Sequence, residues 1–136
     1  MTVQKDLEGT EMTARILIVD DDDAIREVAQ TSLELVGGWD VDCAASGLDA
    51  LTIAAENPPD AILLDVMMPA MDGPTTFGHL QADPRTRSIP VVLLTAKVQG
   101  AERRQWESLG VAGVLAKPFD PMTLPDEVAK LLGWDR

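Results

Sequence analysis

The chain has 136 residues, 46% of them hydrophobic, with 11 Lys+Arg against 23 Asp+Glu for a net charge of −12. That is the size of one ordinary domain with enough apolar residues to bury a core. The acidic balance argues against direct binding of nucleic acid or of an anionic membrane surface, both of which are held through Lys and Arg, and no apolar run approaches the roughly 18 residues that span a bilayer.

Met1 to Thr13 is polar and acidic with no hydrophobic run. It reads as a flexible leader (1–13) ahead of a domain at 14–136, not as a secretory signal. Met12 is an alternative start to Met1. The run Ile16-Leu17-Ile18-Val19 predicts a buried strand that stops at Asp20-Asp21. Ile25, Val28, Ala29, Leu33 and Val36 then recur at helical spacing, and Gly37-Gly38 closes that helix where a positive φ is needed. Trp39 to Cys43 reads as a second strand. Cys43 is the one cysteine, which excludes an internal disulfide and suits a buried, inert thiol. With no signal segment, these features point to the cytoplasm.

Ser46 and Asp49 resemble a capping box that opens a helix with Leu48, Leu51 and Ala55 on one face. Asn57-Pro58-Pro59 ends it, and Ala61 to Leu64 forms the third strand, stopping at Asp65. Met67 to Gly73 is a loop, followed by a short helix after Pro74. Asp83-Pro84 begins a polar connection to a fourth strand, Val91 to Leu94, which stops at Thr95. A fourth helix lies within Gly100 to Leu109, where only Ala101, Trp106 and Leu109 are clearly apolar. The fifth strand, Gly113 to Ala116, stops at Lys117. Thr123 and Asp126 are placed to cap a last helix with Leu124, Val128, Leu131 and Leu132 on its inner face. The order is β-α five times over, which predicts a doubly wound α/β domain with a five-stranded parallel sheet and right-handed crossovers.

In such sheets ligands sit just outside the carboxyl ends of the strands. Four strands here end at Asp20-Asp21, Asp65, Thr95 and Lys117. Each residue also has an ordinary reading: a helix start, a turn, a cap, a solvated charge. Asp22 and Asp23 fit the helix start, whereas Asp20 and Asp21 admit both readings. Taken together, the three acids Asp20, Asp21 and Asp65 need a counter-charge, and a hard cation such as Mg²⁺ supplies one. Asp65 is then a carboxylate nucleophile toward phosphorus, with Lys117 and Thr95 placed to hold phosphoryl oxygens.

The segments Val19-Asp20-Asp21, Leu64-Asp65-Val66-Met67-Met68-Pro69 with Met71-Asp72-Gly73, Leu94-Thr95-Ala96 and Ala116-Lys117-Pro118-Phe119 resemble the receiver domain of two-component response regulators, in a match running from about Arg15 to about Leu132. The resemblance implies a flavodoxin-like strand order 2-1-3-4-5. It implies Asp65 as phosphoacceptor, Mg²⁺ held by Asp20, Asp21, Asp65 and the backbone carbonyl of Met67, and a phosphoryl group bound by Thr95 and Lys117. It also implies a cis bond before Pro118, a phosphohistidine donor on a sensor histidine kinase or phosphotransfer protein, slow loss of the phosphoryl group to water, and an output face on the fourth helix, fifth strand and fifth helix. Met67 and Lys97 occupy positions that tune dephosphorylation in the family. One residue departs from the pattern: many receivers carry Tyr or Phe three residues before the lysine, and here that residue is Val114.

The expected function is therefore a stand-alone phosphoacceptor switch that signals by docking to a downstream protein or by phosphorelay, without an attached output domain. Two other readings compete. A Mg²⁺-dependent phosphohydrolase would also use Asp65, but Met67 stands where haloacid-dehalogenase-like phosphatases usually carry a second Asp. A phosphorylation-independent interaction module would usually have lost the acceptor or the acidic pair, and both are present. His79, Arg103 and Arg104 read as surface residues, Trp39 and Trp134 as edge packing, and Trp106 as packing on the sheet.

Overall fold

The computed structural model describes residues 13–96 and 100–135. Residues 1–12 of the expected leader and Lys97 lie outside them. The strands are β1 (Arg15–Val19), β2 (Asp40–Ala44), β3 (Ala61–Asp65), β4 (Val91–Thr95) and β5 (Gly113–Ala116), all parallel in one sheet of order β2-β1-β3-β4-β5. The helices are α1 (Asp23–Thr31), α2 (Gly47–Glu56), α3 (Gly73–Ala82), α4 (Gly100–Glu107) and α5 (Leu124–Leu132). Both the five-fold β-α alternation and the strand order follow the sequence expectation. None of these helices is long and apolar enough to cross a membrane.

The period of two in a strand sorts the apolar runs onto two faces. Leu17, Val19, Ile62, Leu64 and Leu93 point to one side, where Ala50 and Ala54 of α2 and Phe77 and Leu80 of α3 cover them. Ile16, Ile18, Leu63, Val92 and Leu94 point to the other, under Ala29 and Leu33 from the α1 segment and Leu124 and Val128 of α5. The middle strands β3 and β4 are buried along their whole length, as a sheet covered on both faces requires. Each fully buried Leu or Ile contributes about 1.5–3 kcal/mol of apolar transfer.

Several local expectations need correction. The single helix expected through Val36 is α-helical only to Thr31 and continues as a π-helical turn, Ser32–Val36. Gly38 takes the expected positive φ, 74°. On α1, Val28 is 44% exposed, because the buried line runs through Ala29, Ser32 and Leu33. The inner face of α2 is Gly47, Ala50 and Ala54, whereas Leu48 is 65% exposed. Small residues face inward there because α2 packs close to α3: a Cβ on Gly47 would lie 2.2 Å from Thr76 Oγ1 and 3.2 Å from Met71 Sδ. Ser46 caps α2 as expected, its Oγ accepting from the Asp49 amide at 3.1 Å. Thr123 does not cap α5. It is itself helical in conformation, and its hydroxyl donates instead to Glu127 Oε2 at 2.9 Å. The strand expected at Trp39 to Cys43 begins one residue later, and Cys43 is only half-buried; desolvation raises its pKa, which keeps the thiol protonated. Trp39 and Trp134 pack edge to face with ring centroids 5.3 Å apart.

The two glycines of the α2–α3 pair respond oppositely to alanine. Gly47→Ala must displace the Thr76 side chain and is expected to cost about 1–3 kcal/mol. Gly78 lies inside α3, and a Cβ added there would meet nothing within 4 Å. The same change at Gly78 should gain about 0.5–1 kcal/mol. Urea midpoints of the two variants against the parent chain measure this; shifts of the same sign would contradict the close helix approach.

Candidate functional site

Strand register brings the chemistry to one edge. Val19 pairs with Leu64, so Asp20 comes level with Asp65. Asp65 pairs with Leu94, which sets Thr95 one residue beyond it. Thr95 pairs with Ala116, and the next amide, of Lys117, donates to the Thr95 carbonyl at 2.9 Å.

Asp20 is 1% exposed. Its amide donates to the Ala44 carbonyl at 3.2 Å, and its Oδ1 accepts from the Asp22 amide at 2.9 Å. Asp22 turns to the helix, accepting from the Ala24 and Ile25 amides as the N-cap of α1. The acidic run therefore divides as its chemistry suggests: Asp22 and Asp23 start the helix, while Asp20 and Asp21 join the sheet edge. Carboxylate oxygens of Asp20, Asp21 and Asp65 all lie within 4.8 Å of one another, with Asp21 exposed and the other two buried.

Lys117 bridges the two buried acids. Its Nζ donates to Asp65 Oδ1 at 3.0 Å and stands 3.0 Å from Asp20 Oδ2. The second contact is an ion pair without hydrogen-bond alignment, so Asp20 Oδ2 is a buried oxygen with no hydrogen-bond donor among the described residues. The Met67 amide donates to Asp65 Oδ1 at 3.4 Å, while the Met67 side chain is 77% exposed at the rim. Thr95 is buried at the end of β4. The Lys117–Pro118 peptide is cis. Arg26, which the sequence reading did not single out, donates to the Asp20 carbonyl at 2.7 Å from one turn into α1. The only sequence signal for it is a cation shortly after the acidic pair on a helix that starts there.

Electrostatics make the site receptive to a cation. Burial raises the Asp65 pKa; the Lys117 contact opposes this and the neighbouring Asp20 charge adds to it. Burial works against the Lys117 ammonium, but its contacts with Asp20 and Asp65 outweigh that and hold its pKa above the usual lysine value. One ammonium faces three carboxylates. A donor set made only of hard oxygens, with one buried oxygen lacking a donor, fits a small divalent cation.

Comparison with known proteins places the chain among familiar relatives. The family profile of the response regulator receiver domain matches residues 16–129. The chain is 41% identical over 118 residues to the DNA-binding dual master transcriptional regulator RpaA of Synechocystis, an alignment covering 87% of this chain and 48% of RpaA. It is 44% identical over 120 residues to the response regulator PleD of Caulobacter vibrioides, covering 88% of this chain and 26% of PleD. The chain thus spans half or less of these relatives. Among solved structures, the receiver domain of the sensor histidine kinase PA1611 from Pseudomonas aeruginosa superposes with a TM-score of 0.79 at 29% identity, over 90% of this chain and 99% of that one; that structure has a magnesium ion coordinated in its active site cleft.

The Asp65 shift fixes the sign of a stability test. Its folded pKa is raised, so the fold binds that proton more tightly than the unfolded chain does. The associated stability is fully present below the ordinary carboxylate value of about 4 and is lost as pH rises through the raised folded value. Asp65→Asn removes the penalty of burying the anion. In metal-free buffer the variant is expected to melt above the parent chain at neutral pH, with the gap closing toward pH ~4. Thermal melts across that range measure it, and a variant that melts lower at neutral pH would contradict the burial effect.

Proposed function

The chain belongs to the response regulator receiver family, and from that premise we propose that Asp65 is its phosphoacceptor, served by Mg²⁺ and by Thr95 and Lys117. Receiver domains are phosphoacceptor signalling proteins, not turnover enzymes. The observation that carries the assignment is the convergence of three carboxylates within 4.8 Å, with Lys117 Nζ at 3.0 Å from both Asp20 and Asp65.

The donor is a phosphohistidine on a sensor histidine kinase or a phosphotransfer protein. A carboxylate oxygen of Asp65 attacks phosphorus, the P–O bond forms, and the P–N bond breaks with its electron pair leaving on the imidazole nitrogen. Asp65 Oδ1 is engaged by Lys117 and the Met67 amide, and Oδ2 has no hydrogen bond among the described residues. Lys117 moves from the carboxylate toward a phosphoryl oxygen, exchanging one anion for another at little electrostatic cost. The Thr95 hydroxyl donates to a second phosphoryl oxygen. Asp20, Asp21, Asp65 and the Met67 carbonyl would hold Mg²⁺, which supplies charge stabilisation to the transferring phosphoryl group. The magnesium in the PA1611 receiver domain supports that ion here. Slow attack by water on the aspartyl phosphate resets the state.

The switch works through Thr95 and the α4, β5 and α5 surface, from which a downstream protein or a further phosphotransfer step receives the signal. Val114 is buried in β5 beside Leu93. Without a ring there, aromatic rotation is no part of this switch. The receiver unit is assigned to 14–136 and the working compartment to the cytoplasm.

Incubation with acetyl phosphate and Mg²⁺ tests the reading by intact-mass measurement. One hydroxylamine-labile phosphoryl adduct per chain is expected, lost in Asp65→Asn and on chelation of the metal. Adduct formation in Asp65→Asn would remove Asp65 from the role. Many turnovers on small phosphoesters would favour the hydrolase, and no adduct at all would favour the bare interaction module.

A further inference from the structure

We propose that Arg26 is a positioning residue for the cation site, acting through the main chain of Asp20. This rests on reading Asp20, Asp21 and Asp65 as the ligands of a divalent cation. Arg26 is largely covered, with 19% of its side chain exposed, and one guanidinium nitrogen donates to the Asp20 carbonyl at 2.7 Å. Its other terminal nitrogen pairs with Asp23, which is 89% exposed.

The contact matters because of what lies on the same peptide plane. The Asp20 carbonyl and the Asp21 amide belong to one rigid unit whose far end is the Asp21 Cα. Holding that oxygen fixes the plane, and the plane sets the direction in which Asp21 projects its carboxylate. Asp21 needs this, since its side chain makes no hydrogen bond among the described residues and it belongs to neither β1 nor α1. Asp20 is already pinned at its amide by Ala44, at Oδ1 by the Asp22 amide and at Oδ2 by Lys117. Arg26 supplies the remaining constraint, on the carbonyl.

Charge and geometry make opposite demands here. A guanidinium close to a cation site repels the cation, so removing it for its charge alone would tighten binding. Removing a group that orients ligands typically weakens metal affinity by about 10–100-fold. The geometry of the contact points to the second effect.

Mn²⁺ titration followed by electron paramagnetic resonance separates the two. Arg26→Met keeps the apolar stem and loses charge and donors. It is expected to bind Mn²⁺ about tenfold more weakly than the parent chain, and Arg26→Lys, with charge and a donor restored, should recover most of the loss. Asp23→Asn, which removes only the exposed partner, should leave affinity unchanged. In metal-free protein the Asp22 amide, bonded to Asp20 Oδ1, should exchange faster in Arg26→Met. Equal or tighter Mn²⁺ binding by Arg26→Met overturns the proposal. If circular dichroism finds that variant unfolded, Arg26→Gln is read in its place with the same expectation. Failure of the parent chain to bind Mn²⁺ would instead defeat the cation-site reading itself.

Discussion

Lys117 stands between two buried carboxylates that would otherwise repel each other, at 3.0 Å from each. Removing the lysine would leave two buried carboxylates without a counter-charge, and breaking a buried pair in this way typically costs about 3–5 kcal/mol. Removing the Asp65 charge instead leaves a one-to-one pair of Lys117 with Asp20. The rest of the architecture delivers this contact. Three separate strands end at the same level, so residues 20, 65 and 117 meet although nothing in the chain links them directly. The lysine offsets only part of the negative charge, and the remainder makes the edge receptive to a second cation. It also leaves the ammonium able to follow charge: under the proposed transfer to Asp65, the attraction that holds the carboxylate would pass to a dianionic oxygen set a bond length or two away.

What the sequence revealed depended on how burial writes itself into residue type. A strand covered on both faces can hold little but branched apolar residues, so Ile62-Leu63-Leu64 and Val91-Val92-Leu93-Leu94 announced themselves, and the polar residue after each run marked the edge. Strand order and the paired roles of Asp20, Asp65 and Lys117 came from the receiver resemblance as much as from the runs. Helix faces were harder. On α2 the apolar spacing of Leu48, Leu51 and Ala55 suggested one face. Leu51 does pack against the core, but Leu48 is exposed and the buried residues are Gly47, Ala50 and Ala54, with Thr76 and Met71 leaving no room for a side chain at Gly47. Hydrophobicity alone does not encode how near two helices come. Thr123 failed as a cap for a related reason: its own backbone is already helical, which turns the hydroxyl toward Glu127 and away from the free amides. Arg26 was overlooked because its partner is a backbone carbonyl, and main-chain acceptors leave no trace in residue identity.

The two ends of the site differ in how firmly they are held. Asp65 closes a strand that is buried throughout, and α5 sets Leu124, Pro125, Val128 and Ala129 into the core. By contrast α4 has no fully buried residue. Its link to the core is Trp106, which packs partly buried against the α2–α3 side with an indole N–H that is itself buried and lacks an acceptor among the described residues. A buried donor left unpaired costs about 1–3 kcal/mol, so the aromatic burial that holds α4 is opposed at the same side chain. An element held by a weak net margin responds to small changes at the residue that leads into it. Thr95 ends the strand before α4, and any pull on its hydroxyl acts on the segment with the least burial to oppose it. In this chain the pliancy that many receivers assign to a rotating aromatic on β5 has no ring to carry it, because Val114 fills that position and is packed. The least buried element beside the site is therefore α4, whereas β3 and β4, which carry Asp65 and Thr95 at their ends, are buried throughout.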